Sequence, residues 1–182
     1  IEITAGLKDG DVVVLVEGES DRAALLAAAR TKGINLDKMG ICILPVGGKS
    51  NLDRPYTIFT ELGIPTYLVW DNDRGSSQPD TASNHRLQKI AGQASSEDWP
   101  NKVVDRFAVF DENLEKQLIR DFGATEYSDW LKAACTDLEY AKVEDGRKNS
   151  EVVSRLLEIA SSKGKSSGIL LEILNHVLKM AA

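Results

Sequence analysis

The 182-residue sequence contains only two cysteines and two histidines, and this scarcity argues against a zinc site. Cys42 and Cys135 are far apart and show no C-x-x-C spacing, so we expect two buried free thiols in a reducing compartment. His85 and His176 are each isolated in the sequence, which is more typical of structural or exposed histidines than of metal ligands.

Long apolar runs are missing too. No stretch is long enough to cross a bilayer, and the first residues lack the basic and then apolar segments of a secretory signal. We therefore expect a cytoplasmic protein. The sequence starts at Ile1 and not at methionine, so we expect a fragment or a processed chain that lacks an upstream partner domain.

The sequence also has no excess of basic residues, because its net charge is −6. A surface that binds DNA regardless of sequence is normally basic, so this balance argues against one. Two considerations weaken that argument. Bound metal ions would offset a cluster of acidic residues, and a missing domain would be able to supply a basic surface.

Apolar runs alternate with helical periodicity in the first half, which predicts an α/β sheet with right-handed crossovers. We expect strands at residues 12–16, 41–46, 64–70 and 104–110. The helices between them are predicted to run from a cap at Ser20 to Gly33, from a cap at Ser50 or Asn51 to about Leu62, and over 85–91.

The second half is predicted to be mostly helical, since its apolar residues follow helical spacing from Asn113 onward. Asn149 or Ser150 is expected to cap the helix that reaches Ala160. This change of character predicts an α/β core at 1–113, a helical subdomain at 114–161, and a lysine loop with a final helix at 162–182.

A first acidic motif, V-E-G-E-S-D, follows the first predicted strand. Glu17 stands at the strand end, Gly18 permits a tight turn, and Asp21 falls in the first helical turn, where the helix dipole favours a carboxylate. The alternative is that Asp21 only stabilises the helix start and that Glu17 is solvated.

A second acidic motif, D-N-D-R-G, follows the third predicted strand. Asp71 and Asp73 point to the same side of an extended backbone, a spacing that suits one or two metal ions about 4 Å apart. Because the carboxyl ends of parallel strands meet at one edge of a sheet, these two residues are expected to converge with Glu17 and Asp21. Four neighbouring carboxylates repel one another, and a bound divalent ion usually compensates their charge. An Asp-rich turn is the alternative, in which Arg74 pairs with an acid instead of a phosphate.

A third acid, Glu115, follows the fourth predicted strand in F-D-E-N-L-E, with Asp111 and Glu112 as competitors and helix capping as the alternative role. The K-G-K-S-S loop places Lys163 and Lys165 before the last helix. A lysine near a metal site stabilises developing charge on a phosphate, and the alternative is a solvated basic loop.

The G-G-K-S-N segment is not a nucleotide-binding P-loop, because Ile43 stands where that pattern requires glycine. Its small residues after a strand are nevertheless suited to cradle a phosphate of DNA. Lys49 and Ser50 are the predicted donors.

Together, V-E-G-E-S-D, P-V-G-G-K-S-N and D-N-D resemble the Toprim domain, which topoisomerases, primases and several nucleases share. These motifs, followed by a helical second half, are most similar to the OLD (overcoming lysogenization defect) family of ATPase–nuclease proteins. The resemblance covers Val12 to Glu115 well and the K-G-K segment loosely. It implies a Toprim-like, parallel-rich sheet flanked by helices, with a helical subdomain in the second half.

The resemblance further implies a metal-dependent DNA endonuclease that uses two Mg²⁺ or Mn²⁺ ions. Its ligands would be the acids of the three motifs: Glu17, Asp21, Asp71, Asp73 and Glu115. Its catalytic residues would be Glu17, Asp71, Asp73 and Lys165, with Lys163 as the alternative lysine. The implied partners are DNA and an amino-terminal ATPase domain, and a homodimer of the full-length protein is allowed. Because no Walker motif occurs, this chain itself is not expected to hydrolyse ATP.

Three other functions are compatible with parts of the sequence. A phosphatase or phosphotransferase of the haloacid dehalogenase type would use Asp71 as nucleophile, but Gly75 stands where that class has threonine or valine. A non-catalytic Toprim-like nucleic-acid-binding module is the second alternative. A topoisomerase would need a nucleophilic tyrosine, and Tyr127 and Tyr140 lie in the helical part without supporting context.

Overall fold

The structure is a computed structural model that describes residues 11–140, 142–146 and 148–182. The first ten residues of the predicted core therefore lie outside the described residues. In the described part, no helix is long and apolar enough to cross a membrane.

Five strands form one sheet in the order β2-β1-β3-β5-β4. Their bounds are Val12–Val16 for β1, Ile41–Pro45 for β2, Thr66–Asp71 for β3, Lys102–Val104 for β4 and Phe107–Phe110 for β5. The first three strands and β5 run parallel, and only β4 is antiparallel to its neighbour. The predicted parallel-rich α/β fold is confirmed.

Helices cover both faces of the sheet and make up most of the second half of the described chain. Their bounds are Glu19–Thr31 for α1, Asp53–Glu61 for α2, Thr81–Ile90 for α3, Leu114–Phe122 for α4, Ala124–Asp137 for α5, Val143–Gly146 for α6, Ser150–Ser162 for α7 and Gly168–Met180 for α8.

The two faces of the sheet build two apolar clusters, as expected for a parallel sheet buried on both sides. On β1, Val12, Val14 and Val16 join the cluster that holds α1, α4, α5, α7 and α8. Val13 and Leu15 point the other way and pack with α2 and α3. Because side chains alternate along a strand, the uninterrupted apolar run of β1 buries both faces at once.

The fourth predicted strand is wrong as a single element, because residues 102–110 form a hairpin. β4 pairs with β5 in antiparallel fashion, with Val104 opposite Phe107, so Asp105 and Arg106 form a two-residue turn. A polar pair between two apolar runs is typical of a turn, whereas the prediction of one strand over 104–110 places this pair in the strand interior. The hairpin leaves β4 at the edge of the sheet and β5 beside β3.

The predicted helix starts also need correction at α1 and α2. Gly18, and not Ser20, precedes α1, and the carboxylate of Asp21 accepts a hydrogen bond from the Gly18 amide at 2.9 Å. After β2, a 3₁₀ turn at Lys49–Asn51 comes before α2, which starts at Asp53. The turn residues Gly47 and Gly48 have φ of 77° and 126°, values that strongly favour glycine.

The helices of the second half pack on the same apolar cluster as α1. Leu118 of α4, Leu156 of α7 and Leu170 of α8 are each at most 1% exposed within it. The predicted cap of α7 is confirmed, because the Asn149 side chain accepts a hydrogen bond from the Glu151 amide at 2.8 Å. The division at 113/114 and 161/162 stays a prediction, and the sheet and these helices share one core.

Candidate functional site

A cleft of about 660 Å³ opens at the carboxyl edge of the parallel strands. All five acids that the sequence predicts as ligands line it: Glu17, Asp21, Asp71, Asp73 and Glu115. They come from the ends of β1 and β3 and from the first turns of α1 and α4. This is the position where open parallel sheets bind ligands.

Neighbouring strands bring the first two motifs together. β1 and β3 are parallel neighbours with Val16 opposite Val69, so Glu17 ends one strand beside the end of the other. The Glu17 Oε1 atom accepts a hydrogen bond from the Asp71 amide at 2.7 Å. The Glu17 carbonyl accepts two more, from the amides of Gly47 and Gly48, each at 2.9 Å. The glycine turn therefore fixes the backbone of the first acid.

Backbone amides also hold one oxygen of each of two further acids. Asp21 is buried, and its Oδ2 atom accepts a hydrogen bond from the Gly18 amide. The Asp71 Oδ1 atom accepts a hydrogen bond at 3.2 Å from the amide of Leu114, at the start of α4. This second bond ties the end of β3 to the helix that carries Glu115.

Burial strongly perturbs three of these carboxyl groups. Desolvation raises the pKa of Glu17 to about 7, with a further contribution from the neighbouring charge of Asp21. Desolvation likewise raises the pKa of Asp21 to about 6. The pKa of Asp71 lies well above its ordinary value because of burial and the charges of Asp21, Glu17 and Asp73. Such a cluster resists full ionisation until a cation compensates its charge.

The donor set suits a hard divalent ion. In Glu17, Asp71 and Asp73, one oxygen accepts a bond from the protein, and the other has no hydrogen-bond donor among the described residues. Carboxylate oxygens are the ligands that Mg²⁺ and Mn²⁺ prefer. Among the described residues, no three acids, histidines or cysteines are already arranged as the ligand set of one ion.

Lys49 occupies a different place from the one that the sequence predicts. It is 5% exposed, and its ammonium group donates to Asp73 Oδ2 at 2.5 Å, to the Asp71 carbonyl at 2.9 Å and to Asn84 Oδ1 at 3.2 Å. An ammonium group has three donors, and all three are used. The structure therefore replaces the predicted contact with a DNA phosphate by a buried ion pair beneath the acids. Ser50, the other predicted donor, is exposed and lines a separate pocket beside α2.

Two buried asparagines support the acids, and neither is among the residues that the sequence predicts for the site. Asn72 is fully buried, and its Oδ1 atom accepts from the amides of Arg74 and Glu112 at 2.8 and 2.9 Å. Asn84 of α3 is fully buried as well. The sequence signal for Asn84 is an amide three residues before the buried Leu87, on the apolar face of a helix.

The third acidic segment divides its roles between structure and cleft. Asp111 pairs with Arg120 at 2.9 Å and accepts from the Asn72 side chain at 3.2 Å. Glu112 and Glu115 line the cleft. Arg74 is exposed and also lines the cleft, a position compatible with the predicted phosphate contact.

The predicted catalytic lysine lies away from the cleft lining. Lys163 and Lys165 are exposed in the turn between α7 and α8, and neither lines the cleft. Lys116 of α4 and Lys148, just before α7, do line it. The role of Lys165 stays a prediction, and these two lysines join it as candidates for the phosphate.

Comparison with known proteins supports the resemblance to the OLD family. Residues 10–73 match the family model described as the overcoming lysogenization defect protein-like TOPRIM domain. That range contains Glu17, Asp21, Lys49, Asp71 and Asp73, and it ends before Glu115. No curated protein matches the chain.

Solved structures show a similar fold over nearly the whole chain. The C-terminal region of the Burkholderia pseudomallei OLD protein superposes with a TM-score of 0.67 and 20% identity, over 94% of this chain and 98% of that chain. The C-terminal region of the Xanthomonas campestris pv. campestris OLD protein gives a TM-score of 0.65 and 21% identity, over 93% of each chain. The helical second half is thus part of the shared fold.

Proposed function

We propose that this chain, which carries an OLD-like Toprim domain over residues 10–73, is a metal-dependent endonuclease module that hydrolyses phosphodiester bonds in DNA. One observation carries the proposal: four carboxylates from two sequence motifs converge in one cleft, where burial and repulsion raise the pKa of three of them. Carboxyl groups whose pKa values are raised by burial and by neighbouring like charges in a cleft are typical of functional sites.

Two divalent ions, Mg²⁺ or Mn²⁺, are the proposed cofactors. Glu17, Asp21, Asp71 and Asp73 would hold them, and Glu115 would be a further ligand from the first turn of α4. When bound, such ions supply an activated water for in-line attack and stabilise the leaving oxygen. The backbone bonds to Glu17, Asp21 and Asp71 hold one oxygen of each acid before any ion arrives, which reduces the entropy lost on binding.

The cations around the cleft are the proposed contacts for the DNA backbone. Arg74, Lys116 and Lys148 line it and would neutralise phosphates on either side of the scissile bond. Lys165, with Lys163 as the alternative, is proposed to stabilise charge on the reacting phosphate, as the family resemblance implies. A methionine substitution at each of Lys116, Lys148, Lys163 and Lys165 separates these roles, because loss of a catalytic lysine lowers turnover while loss of a backbone contact weakens DNA binding.

The proposed partners follow from the proteins that share the fold. Both are C-terminal regions of OLD proteins, so we propose that this module works beside an amino-terminal ATPase domain. A homodimer of such a full-length protein is part of the same proposal.

The test is cleavage of supercoiled plasmid by the purified chain with Mg²⁺ or Mn²⁺. The comparison is with Asp71→Ala and with Asp129→Asn, which changes an exposed acid on α5. Nicking or linearisation that disappears in EDTA and in Asp71→Ala, but persists in Asp129→Asn, supports the proposal. Cleavage that persists in Asp71→Ala refutes the assigned site. Ion binding without cleavage, also when the chain is joined to an ATPase domain, would favour a binding module.

A further inference from the structure

The buried ammonium group of Lys49 is the least expected feature of the site. A charge that is 5% exposed costs free energy unless it is paired, and Lys49 is paired with Asp73, an acid of the proposed ion site. Its second acceptor is the carbonyl of Asp71, the other acid of the D-N-D motif. Lys49 therefore contacts both acids of that motif, Asp71 through its backbone and Asp73 through its side chain.

Asp73 is held in an unusual conformation. Its φ of 59° is in the left-handed region, where residues other than glycine are uncommon. The Asp73 amide donates to the Glu112 carbonyl at 3.1 Å, and one carboxylate oxygen is bound to Lys49. The other oxygen has no donor among the described residues, and Asp73 lines the cleft. Backbone and side chain together thus leave a single oxygen of Asp73 for a ligand.

Lys49 is itself held by Asn84. The Asn84 Oδ1 atom accepts from Lys49 and from Trp70 Nε1 at 3.1 Å, and its amide nitrogen donates to the carbonyls of Asn72 and Asp98 at 2.9 and 2.8 Å. With all these partners in place, the Asn84 side chain has one orientation. It therefore fixes the place of the ammonium group relative to β3.

We propose that Lys49 is a positioning residue that shares the Asp73 carboxylate with a divalent ion. Its ammonium group holds one oxygen, so the other is presented to the ion in a fixed direction, and its charge keeps ion affinity below what unshared carboxylates would give. This inference rests on the proposed nuclease function for its effect on turnover. Its effect on ion affinity can be measured without any cleavage.

The experiment compares the whole chain with Lys49→Met and with Lys89→Met, an exposed control on α3, the helix of Asn84. Mn²⁺ binding is followed by electron paramagnetic resonance of the free ion, and plasmid cleavage is measured at saturating Mn²⁺. In Lys49→Met, loss of the competing charge is expected to tighten Mn²⁺ binding about fivefold or more. Turnover is expected to fall about 30-fold or more, because Asp73 is no longer held. The KM for DNA should remain within about twofold, as expected for a residue without a phosphate contact.

Each other result overturns the inference. Unchanged or weaker Mn²⁺ binding would mean that Lys49 does not compete for Asp73, and a raised KM with unchanged turnover would make it a DNA contact. Lower thermal stability alone would make it a purely structural residue. If the wild-type chain binds Mn²⁺ but does not cleave, the proposed function fails, and the Mn²⁺ affinity of Lys49→Met still decides this inference.

A second variant covers the case in which Lys49→Met does not fold. Lys49→Arg keeps a cation beside Asp73 but changes its geometry, because the guanidinium group is planar and larger. We expect Mn²⁺ affinity within about twofold of wild type and turnover at least about tenfold lower. Wild-type turnover in Lys49→Arg would contradict a positioning role.

Discussion

The Oε1 atom of Glu17 accepts a hydrogen bond at 2.7 Å from the amide of Asp71, which lies 54 residues later in the chain. This contact joins the ends of two parallel strands and ties the first acidic motif to the second. It satisfies one oxygen of Glu17 and leaves the second oxygen without a donor among the described residues. In this arrangement the fold holds one oxygen of Glu17, and the other oxygen faces the cleft.

The raised pKa of Glu17 predicts a specific dependence of stability on pH. The pKa of Glu17 is about 7 in the folded protein, against 4.5 for an ordinary glutamate, because burial disfavours the charged form. The protonated side chain therefore contributes its full stabilisation below pH 4.5. That contribution is lost as the pH rises to about 7. Glu17→Gln keeps an oxygen for the Asp71 amide but does not titrate. The difference in free energy of unfolding between wild type and this variant should fall by about 3 kcal/mol between pH 4.5 and 7.5.

The measurement is urea unfolding in EDTA across that pH range. Glu61→Gln, an exposed change at the end of α2, serves as the control and should follow the wild type at each pH. If the free energies of unfolding of wild type and Glu17→Gln differ by the same amount at all pH values, the pKa of Glu17 is not raised.

Divalent ions should stabilise the chain through the same cluster. An ion that binds only the folded state raises the melting temperature. At an ion concentration of about a hundred times the Kd, the free energy of unfolding increases by about 2.7 kcal/mol. We expect a rise with Mn²⁺ for wild type and for Asp129→Asn, and little or none for Asp71→Asn. Scanning calorimetry with and without Mn²⁺ checks this. Equal rises in all three proteins would place the ion elsewhere.

Asn84 should matter for stability far more than its polar character suggests. Asn84→Ala removes one hydrogen-bond partner from each of Lys49, Trp70 and the backbone carbonyls of Asn72 and Asp98, so we expect a loss of about 3 kcal/mol. Lys89→Ala, an exposed change on the same helix, should alter stability by less than about 0.5 kcal/mol. Urea unfolding measures the stability of both variants. Equal stabilities would show that the hydrogen bonds of Asn84 do not stabilise the fold.

The helical half is predicted to unfold together with the sheet. Leu156 of α7 is 1% exposed in the cluster that also holds β1 and α1, so Leu156→Ala should cost about 3 kcal/mol. The exposed Leu62→Ala change is the matched control. Circular dichroism and tryptophan fluorescence should report one coincident transition for wild type. Helices that melt before the sheet would instead support an independent unit at 114–161.

Much of the fold and of the acidic site is predictable from sequence. The bounds of β1 agree with the predicted ones because five apolar residues stand between polar neighbours, and the acid pairs stand directly at strand ends. Parallel topology then brings Glu17 and Asp71 to one edge by a general rule. The β4–β5 hairpin is hard to predict because Asp105 and Arg106 interrupt an otherwise continuous apolar run by only two residues.

The supporting residues are not predictable in the same way. Nothing local marks Lys49 as buried, since a lysine after two glycines is also what a phosphate-binding loop has. Its partners Asp73 and Asn84 lie 24 and 35 residues away and meet it only when the sheet and α3 are assembled. Sequence patterns indicate which residue types gather at an edge, whereas pairing within the buried set depends on three-dimensional packing.

The most direct test of the central claim is the location of Mn²⁺ by anomalous diffraction from crystals of the chain grown with the ion. We expect anomalous peaks in the cleft, within bonding distance of carboxylate oxygens of Glu17, Asp71 and Asp73. Occupied manganese sites elsewhere, with none at these three acids, would contradict it.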